Sequence, residues 1–257
     1  MWKVIRITVL ALLLVVVAAV TYIDKVRTTS WKQTLWVGIF PMNGDGSDVT
    51  ERYVADLTVE DFAGIETFFA SEARRYGIAL DRPIRIELYP SPKERPPMLK
   101  PGSGPLAAIW WSLKMRLYAR HAADVPGRAP SHIRVFVLYH DPAVSEQVPH
   151  SLGLQKGLVG VVHAFADRSM RGENNIVIAH ETMHTVGATD KYDPESGLPI
   201  YPEGYADPAL EPRFPQQKAE IMAGRRAVSA TDDDMPGDLR EEVVGQKTAA
   251  EIGWIKR

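Results

Sequence analysis

Two histidines four residues apart, a glutamate directly after the first, a glycine three after the second and an aspartate three beyond that make up the stretch HETMHTVGATD over 180–190. On an α-helix, residues four apart are separated by about 40° around the axis and about 6 Å along it, so His180 and His184 project from one face and can grip one cation. Glu181 points about 100° away from His180, which suits a base reaching a water beside the ion better than a third ligand. Gly187 stands where a left-handed residue ends a helix, and three further residues let the chain double back so that Asp190 returns to the same ion. Two neutral imidazoles and one carboxylate leave a fourth position open, the arrangement of a catalytic zinc site; a closed structural site uses four protein ligands. The chain contains no cysteine, which excludes thiolate nucleophiles, disulfides and Cys-based zinc sites, so any metal must rest on His, Asp or Glu.

This stretch resembles the extended zinc-binding motif of the metzincin metallopeptidases, His-Glu-x-x-His-x-x-Gly-x-x-His, with Asp190 replacing the last histidine as in snapalysin-type members. The family also carries a methionine in a turn beneath the metal, and AEIMAGR around Met222 resembles that Met-turn. Several metzincins place a metal-facing tyrosine two residues after the methionine; here that position is Gly224, and Tyr192, Tyr201 and Tyr205 are the substitutes on offer. The resemblance covers 180–190 and the short piece near Met222. It implies an α/β (α+β) fold with a mixed twisted sheet and packed helices, Zn2+ held by His180, His184 and Asp190, Glu181 as general base, and hydrolysis of peptide bonds in protein or peptide substrates.

The elements that must position these residues are legible in outline. Apolar Ile176, Val177 and Ile178 precede His180 and should seat its helix in a core. Strands are expected over 34–40, 84–89, 132–140 and 157–165, and the last of these is the candidate sheet edge for an extended substrate. PMNGDGSD after the first strand reads as a loop; Thr58 and Asp61 then stand in the order of a capping box before Phe62, Ile65, Phe68, Phe69 and Ala73 at helical spacing. A second helix is expected over 106–121, and the Pro-rich run between it and the strand before it reads as a surface loop. The segment 193–215 is crowded with Pro, Gly and aromatics and should be irregular but ordered, forming a wall of the substrate pocket. A closing helix over 239–254 with an acidic entry completes the chain. His163 reads as a satisfied structural histidine rather than a ligand, and Asp232, Asp233 and Asp234 as a solvated run rather than a calcium site, because the spaced oxygens of a calcium loop are missing.

The N-terminal run 7–23 carries no charge and follows Lys3 and Arg6. At about 1.5 Å per residue it reaches roughly 25 Å, the short end for a spanning helix, and Trp2, Tyr22 and Trp31 suit the two interfaces. Val17 and Ala19 make a poor cleavage site, so the run reads as an uncleaved anchor over 1–30 that places a single domain over 31–257 on the exported side; a cleaved signal would make the protein secreted. The 257 residues are 45% hydrophobic and 24% charged, enough for one full core, and a net charge of −2 with no basic cluster argues against nucleic acid as a partner. Two readings of other classes stand beside the peptidase: a zinc-bearing binding module without catalysis, and a membrane-tethered scaffold.

Overall fold

A helix α1 (Trp2–Thr29) leads into β1 (Leu35–Asn43), followed by α2 (Asp48–Ala55), α3 (Ala63–Arg75), β2 (Ile84–Leu88), α4 (Pro105–Ala122), β3 (Ile133–His140), β4 (Leu152–Leu154), β5 (Val159–Phe165) and α5 (Arg171–Val186). Short strands β6 (Ala219–Glu220), β7 (Arg226–Ala227), β8 (Asp233–Asp234) and β9 (Glu242–Val243) and the helix α6 (Gln246–Glu251) complete the chain. The computed structural model describes residues 2–99, 102–145, 147–154 and 158–255.

The main sheet has the order β2-β1-β3-β5-β4 and is parallel except at β4, which runs antiparallel to β5. The fold is therefore mixed α/β, with helices packed on both faces. Alternation along β3 sends Ile133, Val135, Val137 and Tyr139 into a core shared with α3 and α5, and Phe136 and Leu138 into a second core beneath α4. A strand covered on both faces reads as one continuous apolar run, which is why 132–140 stands out in the sequence. Pro41 is tolerated inside β1 because pairing with β2 ends at Ile39 and Leu88, leaving only β3 alongside.

Four expectations need correction. The edge of the sheet is β4, not β5: a three-residue strand at Leu152–Leu154 pairs with Val159–Val161 and covers β5 on its outer side. PMNGDGSD is not wholly a loop, since Pro41, Met42 and Asn43 extend β1 and Ser47 caps α2 by accepting from the Thr50 amide at 3.1 Å. The closing helix is much shorter than 239–254, because Glu242 and Val243 are drawn into parallel pairing with Ala219 and Glu220 before α6 begins. The acidic run is not a solvated helix entry: Asp233 and Asp234 form β8 against Arg226 and Ala227, and ion-pair with Arg225 and Arg226.

The capping box forms as expected, with the Asp61 carboxylate accepting from both the amide and the hydroxyl of Thr58. The apolar run 7–23 is helical within α1, but the side chains of residues 9, 10, 13, 14, 16–18 and 20–22 lie outside the described residues. Among the described residues no helix is long and apolar enough to cross a membrane. The end of α1 is seated on the body by Trp31, which is buried edge-on to Trp254 with ring centroids 5.5 Å apart and donates its indole N–H to the Ile252 carbonyl at 2.7 Å.

Candidate metal centre

Helix α5 is fixed at its start by amide side chains and along its length by apolar burial. Asn174 pairs with the backbone of Phe165 through both ends of its amide, accepting at 3.0 Å and donating at 2.9 Å, so the first turn of α5 is tied to the end of β5. Asn175 donates to the Asp61 carbonyl at 2.9 Å, tying the same turn to the α3 layer. Ile176, Ile178, Ala179, Met183 and Val186 are buried, at about 1.5–3 kcal/mol for each of the larger side chains, which locks the rotation of the helix and hence the direction of His180 and His184. Gly187 ends the helix with φ of 113°, and Ala188 N–H reaches back to the Met183 carbonyl at 3.1 Å. A side chain at that backbone angle would be strained, so glycine is what allows the reversal.

The reversal delivers Asp190 to the histidines. Its Oδ1 stands 3.2 Å from His180 Nε2 and 3.0 Å from His184 Nε2. Each ring donates its other nitrogen to a backbone carbonyl, His180 Nδ1 to Ile221 at 2.8 Å and His184 Nδ1 to Ala188 at 2.9 Å, so both Nε2 atoms face the same point. His180, Glu181 and His184 offer ligand atoms that all lie within 4.8 Å of one another. Burial pulls the Asp190 carboxyl upward, yet hydrogen bonds from His180 and His184 hold it well below the usual carboxylate range. For His184 burial works against the charged ring, and the Asp190 carboxylate overcomes it and raises the pKa. Glu181 is 6% exposed; burial raises its pKa despite the opposing pull of His180 and His184, and its Oε2 has no hydrogen-bond partner among the described residues.

Sequence reasoning found these four residues but not what braces them. Met222 is fully buried in the turn after β6, where Ala223 and Gly224 amides return to the Glu220 carbonyl at 2.8 and 3.0 Å. The Glu220 carboxylate, with no exposed surface, accepts from the amides of Met222, Ala223 and Gly245 and from the Thr248 hydroxyl at 2.7–3.1 Å. This turn therefore presents the Ile221 carbonyl to His180 and, through the Met222 carbonyl, accepts the Lys191 amide at 2.9 Å. Lys191 is itself buried and bonded to Thr189 and to Glu251 at 2.9 Å, which fixes the backbone next to Asp190. A buried acid in AEIMAGR and a buried lysine after Asp190 were visible as residue types; nothing in their spacing announced their partners.

Strand β4 presses against the centre. A Cβ added at Gly153 would lie 2.5 Å from His184 Cβ and 2.7 Å from the Glu181 carbonyl, so only glycine lets the edge strand approach this closely. Tyr192 follows Asp190 by two residues, and burial, with the charges of Asp190 and Glu181 behind it, raises its pKa. Tyr201 and Tyr205 pack edge-on at 5.3 Å, and Tyr205 meets Phe214, so ring contacts order the segment 193–215 without helix or strand of length. His163 belongs to a separate pair, its Nδ1 3.0 Å from His140 Nε2 on the face of β5 toward α4; its Nε2 is buried without a partner, so it is structural but not fully satisfied. No protein-family model matches the chain, and no curated protein matches it.

Proposed function

We propose that this chain is a membrane-anchored zinc peptidase in which His180, His184 and Asp190 hold Zn2+, Glu181 is the general base, and the apolar run 7–23 anchors the domain 31–257 on the exported side of a membrane. The observation that carries the reading is the convergence of Asp190 Oδ1 on the Nε2 atoms of His180 and His184, at 3.2 and 3.0 Å, with each ring's Nδ1 already tied to a backbone carbonyl and the buried Glu181 beside them.

The donor set fits the metal. Ligands about 2.0–2.1 Å from a tetrahedral ion lie about 3.4 Å apart, and the separations of 3.2 and 3.0 Å between Asp190 Oδ1 and the two Nε2 atoms are within a few tenths of that. When bound, zinc polarises a substrate carbonyl and acidifies water toward neutrality. Glu181 takes the proton of the attacking water and delivers it to the leaving amine. The outer edge of β4 beside Gly153 offers backbone groups to an extended peptide, in the role first expected of β5. The resemblance of HETMHTVGATD to the metzincin motif, and the buried turn at Met222 under His180, support the same reading.

The test uses the full chain purified in detergent. Elemental analysis should find about one equivalent of zinc, and Glu181→Gln should keep the zinc while losing roughly 100- to 10,000-fold in cleavage of a peptide library. Zinc without cleavage by the wild type would make this a binding module, and a chain that takes up no zinc would be a scaffold. Cleavage by Glu181→Gln at the wild-type rate would reject the base.

A further inference from the structure

Helix α4 is apolar on two opposite sides, and only one of them is covered. Trp111, Met115 and Ala119 are buried against the sheet, whereas Leu106, Ile109, Trp110, Leu113 and Leu117 are 82%, 67%, 59%, 47% and 60% exposed. At about 100° per residue these five fall within an arc of about 100° along the whole length of the helix. The same projection puts Lys114 and His121 on one border of the arc, Arg116 just outside the other, and Arg120 within the arc at its C-terminal end, beyond Leu117. The 18 residues of α4 contain no aspartate or glutamate.

We infer that this outward stripe seats α4 in the headgroup layer of an anionic lipid bilayer, with the apolar arc immersed and the bordering cations at the lipid phosphates. Charge decides against a second copy of the chain as the occupant: two α4 stripes meeting face to face would juxtapose two basic borders with no carboxylate in either helix to offset them, whereas anionic headgroups complement both borders. Trp110 is suited to the boundary, apolar over its ring and carrying an N–H, with Lys114 Nζ 5.7 Å from its centroid. Chain geometry agrees, since Arg27 in the last turn of α1 lies 2.7 Å from His132 at the foot of β3, the strand that α4 feeds. The end of the helix that carries the apolar run 7–23 thus meets the start of β3, ten residues beyond the end of α4.

Because the chain has no cysteine, a single Leu113→Cys or Arg74→Cys substitution takes one environment-sensitive fluorophore. Arg74 is exposed on α3, in the layer on the opposite face of the sheet. The labelled full chain is reconstituted in phosphatidylcholine vesicles with or without phosphatidylserine, each carrying nitroxide-labelled lipid, and flotation independently reports whether the chain is membrane-bound. The expected result is a blue-shifted probe at position 113 quenched several-fold more than the probe at position 74 when phosphatidylserine is present, with the difference shrinking at high salt and in Lys114→Glu/Arg120→Glu. Equal quenching at the two positions in a chain that floats would overturn the docking while leaving the anchor intact. A disulfide joining copies of unlabelled Leu113→Cys on the vesicle would overturn it in favour of self-association, and a chain that does not float would overturn both docking and anchor.

Discussion

His180 donates its Nδ1 proton to the carbonyl of Ile221 at 2.8 Å, across 41 residues of sequence, so a candidate metal ligand takes its orientation from a buried turn rather than from its own helix. The turn is in turn organised by Glu220, whose carboxylate gathers three amides and a hydroxyl inside the core. The two oxygens of one carboxylate offer about four acceptor sites, enough to match all four donors.

Glu220→Ala should therefore act on both stability and metal. Removing the acceptor strands buried donors at about 1–3 kcal/mol each, so destabilisation of about 4 kcal/mol is expected, together with weaker zinc binding through a misdirected His180. Met222→Leu, which keeps the turn and fills the same volume, should change stability by less than about 1.5 kcal/mol and leave zinc affinity unchanged. Denaturant unfolding and competitive zinc titration of the two variants check this; equal effects would mean the methionine side chain, not the turn, braces the site.

Gly153→Ala tests the approach of the edge strand. Its new methyl group would meet His184 Cβ and Glu181, so either β4 or α5 must shift. A displacement of about 1 Å at reacting groups costs on the order of a hundredfold in turnover. Zinc content should persist, because no ligand is removed, and peptide cleavage should fall; wild-type cleavage would show that β4 does not border the reacting groups.

The pair of His140 and His163 should make the fold sensitive to mild acid. Burial, and secondarily the proximity of His140, pushes His163 from 6.5 down to about 4. The unfolded chain takes up its proton near 6.5 and the folded chain only near 4, so between those values the unfolded state binds more protons. Stability falls as pH drops through that window and levels off below it, by up to roughly 3 kcal/mol at about 1.4 kcal/mol per unit. Replacing His163 with glutamine should flatten this part of the profile, measured as the difference in unfolding free energy between pH 7 and pH 4.5 for variant and wild type.

Zinc should stabilise the folded chain. At free zinc about a hundredfold above its dissociation constant the gain is about 2.7 kcal/mol, and chelation should remove it. In Asp190→Ala the melting temperature should become independent of added zinc to first order, because two imidazoles alone hold the ion weakly. A zinc-dependent rise equal to that of the wild type would exclude Asp190 as a ligand.

The sequence by itself determined the elements whose information is local. Helical spacing put His180 and His184 on one face, Gly187 marked the reversal that returns Asp190, and the continuous apolar run of β3 announced a doubly covered strand. Capping chemistry at Thr58 and Asp61 was equally readable, because its partners stand three residues apart. Tertiary structure alone decided what depends on distant partners. A three-residue strand such as β4 carries too little pattern to be seen, yet it displaces β5 from the edge and closes on Glu181. Pairing with β6 turned the start of the expected last helix into β9, overriding a helical pattern. The buried carboxylate of Glu220, the buried ammonium of Lys191 and the uncovered stripe of α4 look in sequence like an ordinary surface acid, a surface base and a core helix. Only their surroundings assign them otherwise, because burial and hydrogen-bond satisfaction are properties of the neighbours that folding brings and not of the residue or its spacing.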